Sequence, residues 1–154
     1  MKKLVLGIDP GVNGAFTIIN GLSSIVISRD LPLLDKDTKH LDGEKLKEIL
    51  ENFDIGLAII EDVHSAPNQG VASVFKFGYS FGLITGITMG LGIEVKKVRP
   101  SVWKNVLGLS QDKKHSRELA EKIFPNTCHF KMAKDHNKAE SALLAYFGIR
   151  SFAV

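Results

Sequence analysis

The chain has 154 residues, 44% hydrophobic and 24% charged, which fits a single globular domain. A domain of that length buries roughly 70% of its unfolded surface, so it needs neither disulfides nor a structural metal to fold. Its one cysteine, Cys128, excludes an internal disulfide and fits a reducing cytosol, and the short apolar run after Met1-Lys2-Lys3 lacks the cleavage site of a secretory signal.

Net charge is +3, too mild to imply a polyanionic partner, but its division along the chain is uneven. Residues 1–95 hold 8 Lys/Arg against 12 Asp/Glu, and residues 96–154 hold 12 against 5, giving −4 and +7. Such asymmetry fits a basic face that meets phosphate, and it equally fits a solvated helical surface.

In chain order, Leu4–Ile8 is a short apolar strand, followed by turn signals at Asp9-Pro10-Gly11 and Asn13-Gly14. Ala15–Ile19 and Ser24–Ser28 complete a three-stranded meander. Residues 30–42 are polar and read as a loop. Asp42 caps a helix over 43–53, where Leu46, Ile49, Leu50 and Phe53 recur at helical spacing. Leu57–Ile60 is the fourth strand and ends in Glu61-Asp62. After a loop at 63–70, a long helix fills about 71–91, and Glu94–Val98 is the fifth strand. Helices follow from Pro100 to Val106, over 113–123 and over about 137–149. Hairpin strands combined with parallel crossovers give an α/β class, and no repeat, low-complexity tract or linker interrupts the chain.

Residues 77–93 carry no charge, near the minimum for a membrane span. Gly78, Gly82, Gly86 and Gly90 fall on one stripe, where a backbone can approach closely. A helix buried on the sheet is the expected explanation. A homodimer contact through Phe77, Phe81 and Ile84 is the other.

Asp9 and Glu61 end the first and fourth strands, so adjacent strands would project both carboxylates from one sheet edge. Asp135 and Glu140 flank the start of the last helix, and Glu140 interrupts the apolar register of Ala139, Ala142, Leu143 and Ala145. Taken singly, these residues read equally well as turn and cap positions. As a set, carboxylates held together persist best around a divalent cation or a shared proton. All-oxygen ligands favour Mg²⁺ or Mn²⁺, and the histidines at 40, 64, 115, 129 and 136 show no zinc spacing.

Gly7-Ile8-Asp9-Pro10-Gly11, Ile60-Glu61 and Lys138-Ala139-Glu140 together resemble RuvC-type Holliday-junction resolvases, in particular their short phage and prophage branch. The likeness extends over Gln69-Gly70-Val71, Ser73–Gly78, Arg99–Lys104, Lys113 with Ser116-Arg117, and Phe124-Pro125, almost the whole chain. It implies a single RNase H-like domain over 1–154 with a central mixed five-stranded sheet. It also implies a homodimer and paired nicks across a four-way DNA junction that leave 5′-phosphate and 3′-hydroxyl ends. By motif position Asp9, Glu61 and Glu140 match the family's metal carboxylates. Its usual fourth acidic position is Asn137 here, so Asp135 and His136 are the candidates, with Asp135 favoured.

Two Mg²⁺ ions, with Mn²⁺ as substitute, would serve hydrolysis at such a site. Lys104, Lys113, Lys114 and Arg117 form the densest basic cluster. The resemblance puts Lys104 and Lys113 near the scissile strand and gives Lys113 a catalytic part. It sets His64, Phe75 and Lys76 where resolvases engage the crossover, although His64 replaces the usual aromatic wedge. No membrane and no small-molecule cofactor is expected, and the location is cytoplasmic, in a bacterium or a phage-infected host. The competing readings are a YqgF-type RNA-processing nuclease, a nucleotide-binding domain of the actin and sugar-kinase type, and a catalytically inactive junction-binding module.

Overall fold

The computed structural model describes residues 3–152, so Met1 and Lys2 of the expected N-terminal lysine pair lie outside the described residues. Strands β1 (Leu4–Asp9), β2 (Ala15–Ile19) and β3 (Ile25–Asp30) form an antiparallel meander. Two tight turns connect them, and Asp9 Oδ1 fastens the first by accepting from the Gly11 N–H at 3.1 Å. Strand β6 (Ile55–Glu61) then pairs parallel to β1, and β7 (Glu94–Val98) parallel to β6. The sheet order is β3-β2-β1-β6-β7, the expected mixed five-stranded sheet.

Alternation along the two central strands sorts the core onto two faces. Val5, Leu57 and Ile59 face one apolar cluster, while Leu6, Ile8, Ala58 and Ile60 face the other. The first cluster is roofed by α3 (Pro100–Val106), α4 (Lys113–Ile123) and α5 (His136–Ser151). The second takes α1 (Gly43–Leu50) and part of α2 (Val71–Gly90). Asp42 caps α1 as expected, its Oδ1 accepting from Lys45 N at 2.9 Å, and Asp112 caps α4 in the same way. Helix α5 crosses β1 where Gly7 has no side chain, and a Cβ there would run into the Ser141 carbonyl.

Three expectations need correction. The segment 30–42 is not only loop: β4 (Leu33–Asp35) and β5 (His40–Leu41) pair antiparallel as a small second sheet. Helix α1 ends at Leu50, and Phe53 reaches the core from the following turn. The largest change concerns α2. Its glycine stripe does not press on the sheet, because a Cβ at Gly78, Gly82, Gly86 or Gly90 would meet nothing within 4 Å. Only Ile84, Thr85 and Thr88 of α2 are buried, with Phe81 half-buried and Phe77 stacked on it. By length and apolar composition alone α2 could cross a membrane. Here Ile84, Phe81, Leu83 and Ile87 join the core cluster on the α1 side of the sheet.

Candidate active site

The parity of the central strands decides where the carboxylates go. Asp9 continues the face of Val5 and Gly7, and Glu61 that of Leu57 and Ile59, so both point to the side covered by α5. The parallel register sets Ile8 opposite Ile60, which brings the two acids out side by side at the end of the sheet. Glu140, in the first turns of α5, meets them from above. Its neighbour Ser141 bonds Thr17 Oγ1 at 2.7 Å, and Thr17 bonds Ser28 at 2.9 Å. This buried hydroxyl chain locks the rotation of α5 on the sheet and, with it, the direction of Glu140.

All three carboxylates are buried. Burial pushes the Asp9 carboxyl up to about 7, and Glu61 and then Glu140 push the same way, against the Gly11 N–H and Lys104. Glu61 is also raised by burial, offset by the bond from Trp103 and by Lys104. Trp103 is fully buried, and its indole Nε1 donates to Glu61 Oε2 at 2.8 Å. The Lys104 ammonium lies 3.0 Å from Glu140 Oε1, with both side chains nearly buried, and Ser116 Oγ donates to the same oxygen at 3.4 Å. Lys104, which the resemblance puts near the scissile strand, points into the acidic cluster.

Burial is the first cause of the raised Asp9 value, and the negative charges of Glu61 and Glu140 add to it, charges that a bound cation would offset. Carboxylate oxygens without thiolate or imidazole suit a hard divalent cation, so the residues fit such an ion by chemistry. Among the described residues, however, no three Asp, Glu, His or Cys side chains converge as a ready-made metal group. Asp9, Glu61 and Glu140 feel one another's charge without closing on a common point.

Asp135 is also buried, but its partners are local. Its Oδ2 accepts from Met132 N at 3.0 Å and its Oδ1 faces Lys138 Nζ at 3.5 Å. It lines a groove of about 590 Å³ together with Gly11–Gly14, Asp30, Lys113, Lys134, His136 and Lys138. His136 turns its Nδ1 to the Ala133 carbonyl at 3.2 Å, and Asn137 donates to the Asn13 carbonyl.

The remaining candidates are spread over the surface. His64 is exposed and faces Asp62 at 3.6 Å. Phe75 is 76% exposed near the start of α2, where an apolar ring has no core to explain it. Lys76 donates to the Thr38 carbonyl and so ties α2 to the β4–β5 hairpin. Lys113 opens α4 on the groove, Lys114 pairs loosely with Glu118, and Arg117 reaches the Lys131 carbonyl at 3.5 Å. Trp103, Ser116, Lys134 and Lys138 received no role from the sequence. Trp103 was open to notice, since a buried indole needs an acceptor and its neighbour was already a candidate.

No family model and no curated protein sequence matches the chain. Solved structures do. Thermus thermophilus RuvC in complex with a Holliday junction substrate superposes with a TM-score of 0.75 at 15% identity, covering 97% of this chain and 96% of that one. The chain has the RuvC fold. A second structure of Thermus thermophilus RuvC gives a TM-score of 0.70 at 16% identity, covering 96% of each chain. Fowlpox virus resolvase, in complex with its substrate Holliday junction DNA, gives 0.65 at 15%, covering 98% of this chain and 99% of that one. The RuvC fold and its mixed, helix-flanked sheet agree with the resemblance carried by the sequence motifs.

Proposed function

We propose that the chain is an endonuclease that resolves four-way DNA junctions by metal-dependent phosphodiester hydrolysis. One observation carries the reading: three buried carboxylates from β1, β6 and α5 lie within reach of one another's charge at the sheet end of a RuvC fold. Two of the similar proteins were solved with Holliday junction DNA. The bias of basic residues to the second half supplies phosphate contacts beside the acids.

Asp9, Glu61 and Glu140 would hold the Mg²⁺ or Mn²⁺ ions, with Asp135 the fourth ligand from the groove wall. When bound, such ions supply an activated water and stabilise the leaving 3′ oxygen. The chain's own residues do the rest. Trp103 fixes one oxygen of Glu61 and leaves the other free to turn toward Asp9. Lys113 meets the phosphate at the groove, with Lys114 and Arg117 further along α4, while Phe75 and His64 meet the bases at the crossover. The products carry 5′-phosphate and 3′-hydroxyl ends.

Paired nicks need two such sites, and the open glycine face of α2 gives a second copy a surface on which to dock. The protein works in the cytoplasm of a bacterium or an infected host.

The test is Mg²⁺-dependent cleavage of a synthetic four-way junction by wild type and Asp9→Asn, beside matched duplex and structured RNA. Cleavage of the junction alone, lost in the variant, is the expected outcome. Equal activity in both proteins, or a preference for RNA, sinks the proposal.

A further inference from the structure

We propose that the Lys104 ammonium is the resident counter-ion of the carboxylate cluster in the metal-free protein, and that it competes with a divalent cation for Glu140. The inference rests on reading the cluster as a metal site.

Lys104 is one of twelve basic residues in the second half of the chain, eight of which are exposed. Its own side chain is 12% exposed and that of Glu140 10%, with 3.0 Å between the charges. Burying a lysine is costly unless it is paired, so its position reflects the attraction of the acids. Asp9 and Glu61 feel the same ammonium, which makes it a cation shared by three carboxylates. Lys138 does not serve here, being turned to Asp135.

Its setting also fixes it. Helix α3 starts directly after β7, and its Pro100 first turn leads to Trp103 and Lys104, so one short helix delivers the indole to Glu61 and the ammonium to Glu140. The Trp103 ring lies 5.3 Å from the Lys104 nitrogen. Glu140 Oε1 already receives Lys104 and Ser116, so while the lysine stays an ion can reach only Oε2, beside the ammonium's own positive charge. The four-carbon stem lets the ammonium swing out when the acids close.

Metal binding and the Lys104–Glu140 contact then oppose one another, and the lysine lowers the site's affinity for a cation. Trp103 is the only tryptophan of the chain, lies beside Lys104 and is bonded to Glu61, so its emission reports the exchange. The experiment titrates the metal-free protein with Mn²⁺, following Trp103 fluorescence and equilibrium dialysis, in wild type, Lys104→Met, Lys104→Arg and Asp9→Asn.

Lys104→Met is expected to bind Mn²⁺ about tenfold more tightly, the size of an ordinary coupling between two sites. Its metal-free form melts below wild type and recovers on adding Mn²⁺, while Lys104→Arg, which keeps the charge, binds as wild type. If Asp9→Asn weakens binding and Lys104→Met binds no tighter than wild type, the counter-ion proposal is overturned and the metal site stands. If Asp9→Asn binds as wild type does, the metal-site reading itself fails. Lys104→Gln carries the same readouts should the methionine variant not fold.

Discussion

Trp103 hands its indole N–H to Glu61 at 2.8 Å, and both side chains lie out of water. A carboxylate at the end of a central strand is free to rotate, and this bond removes the freedom on one side. Replacing Trp103 by Phe leaves a buried acceptor without its donor and a gap where the larger ring stood. The expected loss is about 3 kcal/mol of stability, read by urea denaturation. Junction cleavage by the variant should fall about tenfold at saturating Mg²⁺, the cost of one misoriented ligand.

The Asp9 carboxyl sets a pH dependence. Its folded value near 7 lies above the ordinary 3.8, so between these the folded protein holds a proton that the unfolded chain has released. Stability of the metal-free protein therefore falls as pH rises through that window, and the contribution is whole only below the ordinary value. Asp9→Asn imitates the protonated acid at every pH. In EDTA its melting temperature should match wild type near pH 4 and exceed it at pH 8, by differential scanning calorimetry. A constant gap across that range would contradict the account.

Gly7 is required by the crossing of α5 over β1. A Cβ there would meet the Ser141 carbonyl and, at 2.6 Å, the Ala145 nitrogen, both backbone atoms that cannot turn aside. Gly7→Ala should cost about 3 kcal/mol by forcing the helix outward. Because Glu140 rides on that helix, cleavage should be lost even under conditions where circular dichroism shows the variant folded.

The α2 stripe predicts the opposite outcome. Gly82 faces open space, so Gly82→Ala should raise stability by up to about 1 kcal/mol through helix propensity. Gly82→Leu should stay folded but sediment as a monomer, since a bulky side chain holds a second copy off the stripe. A dimer retained by the leucine variant would put the interface elsewhere.

The site was legible in the sequence where it depends on strand ends. Asp9 and Glu61 each follow an apolar run, and once those strands are neighbours, parity leaves their side chains little choice. Glu140 was legible as a misplaced charge among alanines and leucine. The direction of the glycine stripe was not, because periodicity says which residues share a face and is silent on what that face meets. The β4–β5 hairpin was hidden as well, since strands of three and two residues are too short to show alternation. Charge counting grouped Lys104 with Lys113, Lys114 and Arg117, because it does not separate a lysine that points outward from one drawn in by acids. The structure separates Lys104, on Glu140, from Lys113, on the groove.

The three acids come from β1, β6 and α5, and Glu140 arrives on the last of the helices. During synthesis the ribosome releases β1 and β6 long before α5, so a growing chain can lay Asp9 beside Glu61 while the third acid is still unmade. The cluster is complete only once α5 docks across Gly7. The order of the elements thus acts as a timer: until α5 is made, two of the three acids stand without the third.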